Sequence, residues 1–192
     1  MLPGARTVHV LAAGLCAGVV AIFASSAHAQ QPNVDFSVSG TSTIRGWTCS
    51  AKGVIAVTPG TGGSPAVPGF ANGVQSATVT VPVKAFACPN AEMLEHLMQA
   101  MKAEKFSEIV YRLERYEGTG PQFQATGTMT ITGTSQPVSF PVVLKASGQS
   151  LQVEGTTRLD MTTYGIDPPV VMLGMLKVAP LIRIEFKGAI AP

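Results

Sequence analysis

The sequence predicts a mainly β domain: an eight-stranded antiparallel barrel with one short α-helix. Three observations carry this. Apolar and polar residues alternate singly through eight separate runs, the period of a strand with one oily and one wet face. A single stretch, 90–104, spaces its apolar residues at helical intervals. Charged residues are 12% of the chain, against about 25% in typical domains, and Thr, Ser and Gly are plentiful, as in exported β proteins.

The first 29 residues read as a secretory leader. Arg6 supplies a positive start, 10–23 is an apolar run, and Ala27-His28-Ala29 forms a small-x-small cleavage site. The run is short for a membrane anchor. Cys16 follows Leu15 inside that run, a poor context for lipidation. Residues 30–192 then form one domain, large enough for a real core. The net charge is +2, and losing Arg6 leaves +1, so there is no electrostatic footprint for nucleic acid. With Cys16 excised, Cys49 and Cys88 remain, and two cysteines in an exported chain most simply pair.

Taken in order, 33–39 alternates Val34, Phe36 and Val38 as a first strand. Trp47, Cys49, Ala51, Gly53, Ile55 and Val57 share one parity and give a long second strand. Residues 59–72, rich in Gly and Pro, read as an exposed inserted loop. Ala77, Val79, Val81 and Val83 mark a third strand. Asn90 is a good N-cap, Glu92 suits the positive helix start, and Met93, Leu94, Leu97, Met98 and Met101 form an apolar stripe. That stripe either lids one barrel end or touches a ligand, and the lid is the simpler reading. Ile109, Tyr111 and Leu113 mark a fourth strand. The fifth places Phe123, Ala125, Gly127, Met129 and Ile131 on one face, with Gln124 and three threonines on the other. A turn over 133–137 leads to the sixth, with Val138, Phe140, Val142 and Leu144. Leu151, Val153, Gly155, Thr157 and Leu159 make a seventh, and Ile182, Ile184, Phe186, Gly188 and Ile190 an eighth. Between these, 161–179 is irregular. A two-sheet sandwich is the rival architecture; the long runs 47–57 and 122–132 favour a barrel of tilted strands.

An eight-stranded barrel is either filled by its own side chains or holds one small ligand. The inward rows contain Ala51, Gly53, Ala77, Ala125, Gly127, Gly155, Thr157 and Gly188, which leave volume unless the glycines mark bulges. A cavity is the favoured reading, and its wall is nearly all hydrocarbon. Each buried methylene contributes about 0.8 kcal/mol, so a few outweigh one neutral hydrogen bond of roughly 1 kcal/mol. The expected ligand is long and apolar. The candidate ligand-binding residues are Phe36, Val38, Trp47, Ile55, Val79, Ile109, Tyr111, Phe123, Met129, Phe140, Val142, Val153, Ile184 and Phe186 on strands, with Tyr164, Met172, Leu173, Met175 and Leu176 in the loop. That proline-flanked loop either plugs a barrel end or forms a portal for lipid.

Three stretches carry a family resemblance: VDFSVSGTSTIRGWTCSAKGVI at 34–55, MLEHLMQAMKAEKFSEIVYRL at 93–113, and GTMTITGTSQPVSFPVVL at 127–144 followed by RLDMTTYGIDPPVVMLGMLKVAPLIRIEF at 158–186. In this order they resemble the YceI-like family, also called polyisoprenoid-binding proteins. The resemblance spans nearly all of the mature chain and rests on no single motif. It implies a lipocalin-like periplasmic barrel around an isoprenoid chain, such as a polyprenyl quinone, and no catalytic residues. The chain departs from the family in the insertion at 59–72, in the cysteine pair, and in Ser39-Gly40 where a basic residue is usual. These departures bear on the ligand more than on the fold.

Catalytic and metal motifs are absent from the sequence. His96, the one histidine after the leader, lies on the helix beside Glu92 and Glu95 and reads as a solvated or lightly packed residue. No His/Cys cluster has zinc spacing, and no Gly-x-Ser-x-Gly elbow supports a nucleophile. Arg45, Arg158, Asp160 and Tyr164 are the polar residues to watch: Arg158 and Asp160 either hold a head group or pair at the rim. The reading is a non-enzymatic periplasmic carrier of an isoprenoid or other long-chain lipid, without cofactor or metal, contacting the membrane transiently. The alternative is a structural or partner-binding envelope protein with a filled barrel. The apolar loop 168–176 also suits a homodimer, in which a second copy covers it.

Overall fold

The computed structural model describes residues 33–148 and 150–190, together with all their side chains except that of Met172. The leader assigned to 1–29 lies outside the described residues. Eight strands close into one antiparallel barrel: β1 (Asn33–Thr41), β2 (Gly46–Pro59), β3 (Val74–Pro82), β4 (Glu108–Thr119), β5 (Gln122–Ile131), β6 (Thr134–Ser147), β7 (Ser150–Asp160) and β10 (Leu181–Ile190). Consecutive strands are neighbours, and β10 returns to β1 with Phe36 opposite Phe186 and Val38 opposite Ile184. Closure leaves no open sheet edge, so the barrel, and not the sandwich, is the architecture. The minor pair β8 (Val170–Val171) and β9 (Leu176–Lys177) forms a separate hairpin between β7 and β10.

The alternation turns one face of each strand inward. On β5, Phe123, Ala125, Met129 and Ile131 are buried, while the hydroxyls of Thr126 and Thr130 pair across the outer face with Ser139 and Ser135 at 3.0 and 2.8 Å. The β5–β6 turn is tighter than the expected 133–137. Ile131 already pairs with Thr134, and Thr132 and Gly133 take φ of 47° and 77°, the backbone of a two-residue hairpin. Thr132 is β-branched and pays for this conformation with its hydroxyl, which donates to the buried carbonyl of Tyr164.

The connections gather at two ends. At one lie the β1–β2 turn, α1 (Ala91–Ala100), the β5–β6 turn and the β8–β9 hairpin. Asn90 Oδ1 caps α1 by accepting the Met93 N–H at 2.8 Å. The helix stops four residues short of the expected 104, because Lys102 adopts a left-handed φ of 50°. A Cys49–Cys88 disulfide, spanning 39 residues, ties the helix approach to β2, reinforced by reciprocal Ser50–Ala87 backbone bonds of 2.8 Å.

The other end is closed by 60–73. This segment is not simply the exposed insertion that its Gly and Pro content predicts. Val67 and Phe70 are both buried and bond each other's backbones. Tyr116 Oη donates to Pro65 O at 2.6 Å and accepts from Val74 N at 2.8 Å, fastening the segment over the bore.

Candidate functional site

The barrel is not filled by its side chains. An upper chamber of about 330 Å³ lies beneath α1 and the β8–β9 hairpin, and a lower chamber of about 150 Å³ lies above Val67 and Phe70. Phe36, Val79, Tyr111, Met129 and Ile184 line both and form the waist between them. Rings surround that waist: Tyr111 and Phe140 have centroids 5.1 Å apart, Phe140 and Phe186 5.6 Å, and Phe36 and Phe186 6.2 Å.

The inward glycines do not supply this volume, contrary to the sequence expectation. A Cβ at Gly127 would lie 2.9 Å from Cζ and Oη of Tyr111, and one at Gly53 would lie 3.0 Å from Phe36 Cε2. One at Gly155 would strike the ring of Phe186. Each of these three glycines receives an aromatic ring from a neighbouring strand, whereas Gly188 meets Val34. The larger open space lies higher, lined by Val38, Val81, Ile109, Ile131 and Ile182, while the small residues Ala77, Ala125 and Thr157 do line the lower chamber, as expected.

The predicted binding residues divide by level. Val38, Trp47, Ile109, Tyr164 and Leu176 join the upper wall. Ile55, Phe123, Phe140, Val142, Val153 and Phe186 join the lower wall. Leu173 and Met175 join neither. They sit on the outer side of the hairpin, and Leu173 is fully exposed. The Met172 assignment rests on a side chain outside the described residues.

Sequence reasoning missed several wall residues. Val81, Leu159 and Ile182 share parity with predicted neighbours and were legible. Met93, Leu97 and Met101 show that the helical stripe both lids the barrel and faces the chamber. Val67 and Phe70 had no periodic signal. His96, with Ser42, Arg45, Asn90 and Glu92, stands at the upper wall. Arg158 and Asp160 line neither chamber and do not pair. Asp160 Oδ1 instead accepts the Thr162 N–H at 2.9 Å and its hydroxyl at 2.6 Å, and these bonds hold its carboxyl below the usual range.

Three polar atoms are buried without a hydrogen-bond partner in the protein: Trp47 Nε1, which lies over Gly40, Tyr111 Oη, which lies over Gly127, and Tyr164 Oη. Burial, helped by the nearby Glu114 carboxylate, pushes the Tyr111 phenol up to about 12, and burial alone raises that of Tyr164. All three are therefore donors at neutral pH. An unsatisfied buried donor costs roughly 1–3 kcal/mol, and a guest oxygen would recover that only where the side chain shifts to meet it, since each of these atoms is sealed from the chamber. Among the described residues no cluster of His, Cys, Asp and Glu could hold a metal, and no helix is long and apolar enough to cross a membrane.

A family model described as YceI-like domain matches residues 23–190. No curated protein sequence matches the chain. The fold is similar to BcnA of Burkholderia cenocepacia, with a TM-score of 0.64, 17% identity, and coverage of 80% of this chain and 95% of that one. It is also similar to a polyisoprenoid binding domain from Saccharophagus degradans implicated in plant cell wall breakdown, with a TM-score of 0.58 and 11% identity over 84% of this chain and 94% of the other. The Campylobacter jejuni YCEI protein gives a TM-score of 0.54 at 14% identity, over 73% and 82% of the two chains. At these identities the likeness speaks for the fold.

Proposed function

The chain belongs to the YceI-like family, and we propose that it is a non-enzymatic periplasmic carrier for an isoprenoid or other long-chain amphiphile. The observation that carries this reading is the bore: two apolar chambers meeting at one waist. The larger falls within the roughly 300–1,000 Å³ of small-molecule sites. A tail threaded past the waist gains about 0.8 kcal/mol per methylene. The head group remains in the upper chamber, where side-chain shifts would let a carbonyl or hydroxyl oxygen accept from Trp47, Tyr111 or Tyr164. A quinone-like head meets that need. The family resemblance and the isoprenoid named for the Saccharophagus domain support the same class of cargo. The Cys49–Cys88 disulfide suits an oxidising compartment.

The test uses the chain's single tryptophan, which stands in the upper wall. Titration with a polyprenyl quinone should change Trp47 emission saturably, and solvent extraction of protein purified from its native compartment should release a lipid seen by mass spectrometry. A flat titration together with an empty extract overturns the reading.

A further inference from the structure

The bore has a floor as well as walls. Val67 and Phe70, both buried, close the lower chamber. Their backbones bond each other at 3.2 and 2.8 Å, and Gly60 N donates to Gly73 O at 2.8 Å, so the segment is braced within itself. Tyr116 fastens it through Pro65 O and Val74 N, and the ring of Tyr116 is held in turn by Phe123, with centroids 5.8 Å apart. Gly73 makes room for that fastening: its φ is 74°, and a Cβ there would lie 2.7 Å from Tyr116 Oη. A tail that enters from the upper end therefore stops at Phe70.

The waist limits width. The rings of Phe36, Tyr111 and Phe186 already rest against the backbone at Gly53, Gly127 and Gly155, which leaves them little room to swing back. One chain can pass between them, and two side by side cannot. Volume limits length. An apolar cavity of about 150 Å³ takes one benzene ring, and the lower chamber has that volume. At the same ~25 Å³ per carbon, the upper chamber of about 330 Å³ takes about thirteen. The whole bore then seats about twenty non-hydrogen atoms, with about six of them below the waist.

We propose that the cargo is a single-tailed amphiphile of about twenty non-hydrogen atoms: a prenyl chain of about three or four isoprene units with a small head, or a fatty acyl chain of similar size. Long polyprenyl lipids and two-tailed phospholipids do not fit. This rests on the carrier reading and sharpens it. A quinone head takes about half of the room, so a prenyl quinone fits with one or two isoprene units. A longer tail has nowhere to go past Phe70, and each methylene left in water forgoes the burial that drives entry.

Competitive loading tests it. The full chain is incubated with an equimolar mixture of prenols of two, three, four and nine isoprene units and a dioleoyl phosphatidylethanolamine, re-isolated, extracted, and its guests counted by mass spectrometry. The three- and four-unit prenols should exceed the two-unit prenol by at least roughly tenfold, since each added unit buries further methylenes. They should exceed the nine-unit prenol by a similar factor, and the phospholipid should stay behind. Ala77→Leu fills part of the lower chamber and should move the preferred prenol about one unit shorter, since a unit is about five carbons and the chamber holds about six. Recovery of the nine-unit prenol on a par with the three-unit one overturns the proposal and leaves the carrier reading intact. Recovery of the phospholipid does the same, as does an unchanged preference in a folded Ala77→Leu variant. If no guest of any length is recovered and Trp47 emission is silent to each prenol, the carrier reading falls, and the size limit with it.

Discussion

Phe186 lies across the backbone of Gly155, its register partner on the neighbouring strand. A glycine inside a strand usually weakens it, and alanine would ordinarily be an improvement. Here the sign reverses. A methyl group at 155 meets the ring, and Pro141 O stands 2.8 Å from it. Gly155→Ala should lower stability by about 1–3 kcal/mol, the usual cost of overpacking, read by thermal or urea denaturation. In a Phe186→Leu background the same change should cost less, because the ring accounts for part of the clash. Equal costs in both backgrounds would show that the ring is not what the glycine accommodates.

Phe70 closes the lower end of the bore from within a Gly- and Pro-rich segment. Phe70→Ala should cost about 3 kcal/mol, the lower part of the range for Phe→Ala, since a loop can partly collapse into the space. It should also deepen the lower chamber. Trp47 titrations with prenyl quinones of increasing tail length should therefore shift their optimum toward longer tails. An unchanged length preference would mean that tails stop at the waist.

Strand parity made the barrel legible. Where inward side chains repeat every second residue, as in 123–131, the sequence foresees both the element and its buried face. Parity cannot tell what fills the space beside a small residue. Gly53, Gly127 and Gly155 read as volume, yet they are berths for Phe36, Tyr111 and Phe186, and only cross-strand register reveals the pairing. Val67 and Phe70 were missed because burial in a loop depends on tertiary closure, not on any local period. Leu173 and Met175 look like core residues by hydropathy; the hairpin that carries them has two apolar sides, and sequence does not say which faces in.

The Cys49–Cys88 bond closes a loop of 39 residues between β2 and the approach to α1. Chain-entropy arguments give such a crosslink about 4 kcal/mol. Replacing both cysteines with alanine should lower the denaturation midpoint by an amount of that order. The same change should loosen α1, whose Met93 sulfur lies 3.8 Å from Cys49 Sγ, so exchange of a bound lipid should quicken. An unaltered exchange rate would separate the bond's role in stability from any role at the upper chamber.

Tyr111 gives the alkaline behaviour a definite sign. Its phenol is raised from 10.0 to about 12 in the fold, so the folded state holds the proton more tightly than the unfolded chain. The associated stability is fully present below pH 10 and is lost as pH rises toward about 12. Tyr164 shifts in the same direction through burial. Tyr111→Phe should therefore flatten, without abolishing, the decline of stability across that window, and should remove the latest part of the tyrosinate absorbance rise. At neutral pH the substitution deletes a buried, unpartnered hydroxyl, so the empty protein should be as stable as wild type or slightly more so. The same variant should bind a polyprenyl quinone more weakly, because one donor to the head group is gone. In the wild type, bound quinone should delay tyrosine ionisation further, since an acceptor favours the protonated phenol. If Tyr111→Phe binds the quinone as tightly as wild type, the acceptor lies elsewhere in the chamber and Tyr111 serves only as a wall.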